Sequence, residues 1–73
     1  MRYLIAVFKS RADGMEFGSN LARYGVRSIA VNTPRSIGSS CTMSIRFSAG
    51  ALRAAQRVLA EGNYYSFIGF YNL

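Results

Sequence analysis

The sequence predicts an α+β fold in which a four-stranded antiparallel sheet carries both of its helices on one face. Two segments repeat apolar residues at helical spacing, and four segments have the continuous or alternating apolar pattern of strands. These segments follow one another as strand, helix, strand, strand, helix, strand. With 73 residues, 51% of them hydrophobic and 16% charged, the chain is expected to form a single globular domain over residues 1–73.

A continuous apolar run opens the chain, and a capped helix follows it. Residues 3–8, YLIAVF, are bounded by charge and predict a buried strand. Ser10 and Asp13 form a variant of the helix-start signature, in which a hydroxyl caps the helix and an acid lies near its positive end. Gly25 stands where a helix would end in a left-handed residue. The predicted helix therefore runs from Arg11 to Tyr24. Its apolar positions include Phe17, Leu21 and Tyr24.

Two glycines inside this helix admit two interpretations. Gly14 and Gly18 lie four residues apart on one side, and each costs about 0.5 to 1 kcal/mol relative to alanine in a helix interior. A close approach of the helix backbone to a strand or a partner would require them. A merely weak helix would also contain them, so both interpretations stay open.

The middle of the chain predicts two strands separated by a loop. Residues 27–32, RSIAVN, alternate as a strand whose Ile29 and Val31 face inward. The segment 33–40, TPRSIGSS, predicts a loop, because a residue before proline is driven to extended geometry and glycine interrupts regular structure. The next strand, residues 41–47, opens at the cysteine and alternates apolar with polar residues.

A second helix and a final strand complete the pattern. Ser48 can cap this helix and Gly62 can close it. The inward stripe consists of Leu52, Ala55, Val58 and Leu59. Residues 64–73, YYSFIGFYNL, predict the last strand because they are rich in aromatic residues. In a chain of this length, such an order most economically gives the ferredoxin-like βαββαβ arrangement.

The first and last strands are apolar or aromatic on both sides. The sheet face that the helices leave uncovered (the open face) is therefore expected to carry apolar and aromatic side chains. Because exposed apolar patches on small domains usually mark association, we expect a homo-oligomer that covers the open face. An alternative is a stacking platform for nucleic-acid bases, formed by Tyr3, Tyr65, Phe67 and Tyr71. The polar positions of the third strand supply no aromatic side chain, so nucleic acid is the less favoured partner.

The charge balance favours anionic partners. Nine Lys and Arg residues against three Asp and Glu give a net charge of +6, and eight of the nine cations are arginine, whose fork suits carboxylate, phosphate and other oxyanions. No apolar run approaches the roughly 20 residues that span a bilayer, and the first residues carry no secretory signal. We therefore expect a cytoplasmic protein without membrane attachment.

The cysteine and histidine content excludes several kinds of site. With one cysteine and no histidine, the chain cannot form an internal disulfide or a multi-thiolate metal site, and zinc has almost no ligands. A histidine-based catalytic dyad or triad is excluded for the same reason. We expect neither a metal nor a cofactor.

The stretch around the single cysteine, Cys41, admits two interpretations, a reactive thiol and an inert structural one. The thiolate is the reactive form of cysteine, and nearby cations or backbone N–H groups favour it. Arg35 lies upstream in a loop that can fold back, while small residues that include Ser39 and Ser40 leave room for a substituent on the sulfur. Such surroundings are compatible with a persulfide pocket. From the spacing alone, an inert structural cysteine is the favoured interpretation, because Cys41 alternates in phase with the core-side residues Met43, Ile45 and Phe47.

The stretch around this cysteine resembles the selenium/sulfur carrier-like family of small bacterial domains. The resemblance extends over nearly the whole chain, and the residues that carry it are Pro34-Arg35, Ile37, Ser39-Ser40-Cys41 and Ile45-Arg46. It implies that Cys41 accepts sulfur or selenium as a persulfide or perselenide, with Arg35, Ser39 and Ser40 around the transferred group. It also implies protein partners that donate and accept this group, and a carrier more than an independent enzyme.

The chain departs from the family pattern at two positions. Thr42 stands where the family usually has glycine after the cysteine, and Ser36 stands where an acidic residue often follows the Pro-Arg pair. Loss of the glycine could narrow access to the sulfur.

The alternative function is a non-catalytic binding module, for nucleic acid or for a regulatory protein interaction, in which Cys41 is structural.

Overall fold

The structure, a computed structural model, describes residues 2–37 and 42–72 and contains the predicted succession of strands and helices. The elements are β1 (Tyr3–Phe8), α1 (Arg11–Arg23), β2 (Ser28–Val31), β3 (Met43–Ser48), a 3₁₀ turn (Ala49–Ala51), α2 (Leu52–Glu61) and β4 (Phe67–Asn72). The strands form one antiparallel sheet in the order β2-β3-β1-β4. This is the ferredoxin-like α+β fold that the sequence predicts. Neither helix in these two ranges has the length and apolar character that a bilayer crossing requires.

The core lies between one face of the sheet and the two helices. Residues of β1, β3, α1 and α2 meet there, and those that are buried include Ala6, Phe8, Ile45, Phe47, Phe17, Leu21, Ala55 and Val58. Aromatic rings form its centre: the centroids of Phe8 and Phe17 are 5.1 Å apart, and Phe17 meets the ring of Tyr64 edge-on at 5.8 Å. The predicted core phase of β3, with Ile45 and Phe47 inward, is confirmed.

Helix α1 begins and ends as predicted to within one residue. The Ser10 hydroxyl oxygen accepts a hydrogen bond from the Asp13 N–H at 3.2 Å, which caps the helix. At the other end Gly25 has φ of 76°, the left-handed conformation that glycine adopts without a steric cost. The Val26 N–H then donates to the Leu21 carbonyl at 3.1 Å, the hydrogen bond of a Schellman-type ending.

The two glycines inside α1 lie where the helix packs closely against the sheet. A Cβ atom placed on Gly14 would lie 2.9 Å from Met43 Sδ, and one placed on Gly18 would lie 3.4 Å from Ser28 Oγ. Met43 belongs to β3 and Ser28 to β2, so Gly14 lies too close to β3 for a Cβ atom, whereas a Cβ atom at Gly18 would make an ordinary contact with β2. Of the two interpretations that the sequence leaves open, the structure supports the close approach at Gly14.

Helix α2 starts later than predicted, and the predicted cap by Ser48 is wrong. The Ser48 side chain makes no capping hydrogen bond, and a 3₁₀ turn separates it from the first residue of α2. Ser48 is still paired with Tyr3 in the sheet, and the next N–H, of Ala49, donates to the Arg2 carbonyl at 3.1 Å. The chain therefore stays extended through Ser48 and must turn before the helix can form.

The predicted inward orientation of Ile29 and Val31 is wrong. Ile29 pairs with Arg46 and Val31 with Ser44, and directly paired residues of an antiparallel sheet point to the same face. Arg46 and Ser44 alternate with Ile45 and Phe47, whose side chains are in the core, so all four paired residues lie on the open face. The Ile29 side chain is consequently 50% exposed.

The last strand begins at Phe67, three residues later than predicted, and contains a bulge. The register between β1 and β4 shifts between Val7 and Phe8. As a result Phe67 and Phe70 both pack against the core, although simple alternation would place them on opposite faces. The prediction that Phe67 belongs to the open face is therefore wrong. Tyr65 lies in the turn before the strand and is 92% exposed.

The open face is partly covered by side chains of the chain itself. Ile5 lies between Arg46 and Tyr71 in the register of the sheet, and both it and Val7 are inaccessible to solvent. The Arg46 guanidinium lies 4.6 Å from the centre of the Tyr3 ring, a cation–π contact. Coverage of this face by a second copy stays a prediction.

Candidate functional site

Some of the predicted site residues lie within the described ranges, and others lie outside them. Ser39, Ser40 and Cys41 lie outside the residues that the structure describes. Arg35 is described: it is exposed and opens a short turn in which the Ile37 N–H donates to the Pro34 carbonyl at 2.9 Å. The described chain resumes at Thr42, directly after Cys41 in the sequence.

Three strand ends meet at the edge of the sheet from which Thr42 emerges. Phe8, the last residue of β1, pairs with Met43, the first residue of β3. Val31, the last residue of β2, pairs with Ser44. The residues that follow β1 and β2 therefore lie beside the residue that precedes β3, and the segment that contains Cys41 connects to this end of the sheet.

A cavity of about 600 Å³ opens at this edge (the sheet-end cavity). Its lining combines two cations, two polar residues and three apolar residues: Lys9, Arg11, Asn32, Thr42, Ala30, Val31 and Met43. No acidic residue is among them. Within residues 2–37 and 42–72, no carboxylate lies at salt-bridge distance from Lys9 or Arg11. The ion pair found in these ranges joins Arg57 to Glu61. The sheet-end cavity is thus a concave surface whose two cations form no ion pair within the described ranges.

Two of the three acidic residues are hydrogen-bonded to residues that do not line this cavity. The Asp13 carboxylate accepts hydrogen bonds from the Ser66 hydroxyl at 2.7 Å and from the Ser66 N–H at 3.2 Å. The Glu61 carboxylate accepts from the Tyr24 hydroxyl and, at 3.4 Å, from Arg57 Nε. The hydrogen bond with Tyr24 lowers the pKa of Glu61 and raises the pKa of Tyr24 from their ordinary values.

A part-buried hydroxyl pair holds the residues that follow β2 against β3. Thr33 Oγ1 and Ser44 Oγ lie 2.6 Å apart, and Ser44 is fully buried on the open face. Thr33 is the second residue after β2, so this hydrogen bond ties the beginning of the predicted loop to the central strand β3. The position of Thr33 beside β3 is therefore held by a side-chain hydrogen bond as well as by the pairing of β2 with β3.

Sequence reasoning names Arg35 as the cation near the thiol and misses Lys9 and Arg11. A signal for them exists in the predicted topology. In a ferredoxin-like sheet the first and third strands are antiparallel neighbours, so the residues after Phe8 must lie next to the residues before Met43. Lys9 and Arg11 could have been found in this way.

The arrangement can hold an anion. Lysine and arginine side chains at a concave surface pair with carboxylates and other oxyanions, and arginine does so with two parallel hydrogen bonds. A cation within about 4 to 6 Å of a thiol favours its thiolate form. Within the described parts of the chain, no group of three or more metal-binding side chains comes together.

Comparisons with known proteins give one match. Neither the comparison with curated proteins nor that with solved structures finds a match to the chain. A protein-family model matches residues 3–71, from the first residue of β1 into β4, and its description is "Putative Se/S carrier protein-like". The match covers nearly all of the chain, as the resemblance around Cys41 predicts, and the chain belongs to this Se/S carrier protein-like family.

Proposed function

We propose that the chain carries a sulfur or selenium atom on Cys41 and passes it from a donor to an acceptor. The observation that carries this proposal is the position of Thr42. This residue follows the single cysteine directly and lines the sheet-end cavity together with Lys9 and Arg11. Membership of the Se/S carrier protein-like family supports the same function.

The proposed transfer is an exchange between a thiolate and a persulfide. The Cys41 thiolate attacks the outer sulfur of a donor persulfide, R–S–SH, and forms a new S–S bond. The original S–S bond breaks, and its electron pair leaves on the donor sulfur as the thiolate R–S⁻. The outer sulfur keeps its proton, so Cys41 becomes a persulfide without net oxidation. An acceptor thiolate then repeats the exchange on Cys41, and a selenium atom in the outer position follows the same steps.

The cations have a defined role in this exchange. Negative charge is present on Cys41 before the attack and on the leaving thiolate after it, and a cation near either sulfur stabilises that charge. Lys9 and Arg11 supply positive charge from the wall of the cavity. We propose that Arg35 contributes from the loop, and that Ser39 and Ser40 donate hydrogen bonds to the transferred group. The donor and the acceptor are partners of the carrier.

Sulfur loading tests this proposal directly. The purified protein is incubated with a cysteine desulfurase and cysteine, and its intact mass is measured before and after treatment with a thiol reductant. We expect one added sulfur atom, removable by the reductant and absent from the Cys41→Ser variant. If the folded protein gains no sulfur from the desulfurase or from a polysulfide, while the same chain in denaturant gains one from that polysulfide, Cys41 is an inert structural cysteine and the proposal is wrong.

A further inference from the structure

We infer that the sheet-end cavity binds a low-molecular-weight thiol that carries carboxylate groups. This inference rests on the proposed function for its role in sulfur transfer, since it identifies the sulfur donor as the persulfide of a small molecule. The binding itself does not require Cys41 and is argued from the described residues that line the cavity. Three properties of the cavity support it: its charge, its size and the chemistry of its walls.

The charge of the cavity calls for an anion with more than one negative group. Lys9 and Arg11 both line the sheet-end cavity, and no acidic residue lines it or lies at salt-bridge distance from either cation in the described ranges. The Asp13 and Glu61 carboxylates are hydrogen-bonded to Ser66 and to Tyr24, and neither forms an ion pair with Lys9 or Arg11. A ligand with two carboxylates can pair with both cations.

The size of the cavity favours an organic ligand over an inorganic anion. A volume of about 600 Å³ lies within the range of roughly 300 to 1,000 Å³ that is typical of small-molecule sites. One inorganic anion would leave most of this space to water. A molecule the size of a short peptide would fill the cavity and would bury more apolar surface against its wall.

The walls have both surfaces that a peptide-like thiol needs. Val31 and Met43 offer apolar surface to methylene groups, and Asn32 offers an amide that can hydrogen-bond to a peptide group. The Met43 side chain is held in place from behind, because its sulfur packs where Gly14 has no side chain. This wall is therefore built by the close approach of α1 to β3.

The position of the cavity suits transfer to Cys41. A persulfide bound between Lys9 and Arg11 lies beside Thr42, next to Cys41 in the sequence. When the Cys41 thiolate takes the outer sulfur, the donor is left as a thiolate in a cavity with two cations. Its S–S bond is replaced by the new S–S bond on Cys41, and no oxidant or reductant is consumed.

Binding can be tested without any transfer. The Cys41→Ser protein, isotope-labelled, is titrated with S-methylglutathione, an unreactive thioether with two carboxylates, and amide shifts are followed by NMR. We expect saturable shifts at residues of the sheet-end cavity. The double variant Lys9→Gln/Arg11→Gln should weaken binding by at least about tenfold, since each lost charge-assisted hydrogen bond is worth about that factor. The matched control is Arg53→Gln, which removes an exposed arginine of α2 outside the cavity and should bind normally.

Further arms separate the inference from its alternatives. The diethyl ester of the same thioether, which lacks the carboxylates, should not bind. Equal binding by the ester, equal binding by inorganic phosphate or thiosulfate, or unchanged affinity in the double variant would overturn the inference. If sulfur loading by a desulfurase succeeds while the thioether fails to bind, the carrier function stands and this inference is wrong. If the thioether binds but Cys41 never acquires sulfur, the binding site stands and the carrier function is wrong.

Discussion

The hydroxyl oxygens of Thr33 and Ser44 lie 2.6 Å apart and join the residues that follow β2 to the neighbouring strand β3. Ser44 is fully buried, although it lies on the sheet face without helices. A buried hydroxyl that loses its hydrogen-bond partner pays the cost of its lost hydration. This pair therefore contributes to stability and also holds Thr33 beside β3.

Replacement of Thr33 by valine should destabilise the fold. The valine has nearly the shape of threonine but leaves Ser44 without this partner, so the free energy of unfolding should fall by about 1 to 3 kcal/mol. Urea denaturation measures this change. Thr33→Ser keeps the hydroxyl and should cost less. The double variant Thr33→Val/Ser44→Ala, which removes both hydroxyls, should recover part of the loss. Equal stability of Thr33→Val and wild type would contradict the contribution of the pair.

The two glycines of α1 should respond differently to alanine. At Gly18 the new Cβ would meet Ser28 Oγ at 3.4 Å, an ordinary contact, so the gain in helix propensity should stabilise the protein by about 0.5 to 1 kcal/mol. At Gly14 the new Cβ would lie 2.9 Å from Met43 Sδ and 3.3 Å from Met43 Cγ. Overpacking of this kind costs about 1 to 3 kcal/mol, more than the helix gains.

Chemical denaturation of both variants measures these changes. Gly14→Ala combined with Met43→Ala should be less destabilised than the two single variants predict together, because the smaller side chain makes room for the new Cβ. A stabilising effect at Gly14 equal to that at Gly18 would instead indicate that α1 is merely a weak helix and that its approach to β3 is unimportant.

The hydrogen bond between Tyr24 and Glu61 should make stability depend on pH at both ends of the range. The pKa of Glu61 is lowered from 4.5, so its contribution is present above that pH and is lost as the pH falls through the folded-state pKa. The pKa of Tyr24 is raised from 10.0, so its contribution is present below that pH and is lost as the pH rises through the folded-state pKa. The contribution is therefore complete between these two values.

The variant Tyr24→Phe isolates this effect. The difference in unfolding free energy between wild type and Tyr24→Phe should be largest near neutral pH and should shrink in acid and in strong alkali. Tyr65→Phe is a suitable control, because Tyr65 is 92% exposed and makes no side-chain hydrogen bond in the described part of the chain. A difference that does not change with pH would show that Tyr24 acts through packing alone.

The order of elements, the core of β3 and the cap of α1 could be predicted because each depends on residues close in the sequence. The orientation of Ile29 could not be. It depends on which residue of β3 it faces, and a shift of one residue turns every side chain of an edge strand to the other face. The orientation of Phe67 could not be predicted for a similar reason, because the bulge in β4 adds a residue that interrupts the alternation of side chains.

The candidate site was predictable only in part. The cysteine and its neighbours in the loop are evident from composition and from the family resemblance, and both are local properties of the sequence. Lys9 and Arg11 are separated from Cys41 by some thirty residues of chain, and they come near Thr42 only through the pairing of Phe8 with Met43. Contacts across a sheet depend on strand register, and the number of charged residues in a sequence gives no information about register.

The cations of the sheet-end cavity should control the reactivity of Cys41 toward an electrophile that is itself uncharged. With iodoacetamide, which has no charge to attract, the rate of alkylation reports the fraction of thiolate. We expect Lys9→Gln/Arg11→Gln to slow alkylation at neutral pH, because the proposed function assigns these two positive charges to stabilisation of the thiolate. Stopped samples analysed by intact mass give the rate.

Two comparisons make this last result specific. Arg35→Gln tests the cation that the family resemblance implies, and Arg53→Gln, on α2, serves as the control for net charge. Loss of reactivity in the double variant and in Arg35→Gln, with Arg53→Gln unchanged, would show that cations from both the cavity and the loop stabilise the thiolate. Equal rates in all four proteins would mean that none of these charges reaches the sulfur, and the role given to Lys9 and Arg11 in sulfur transfer would have to be abandoned.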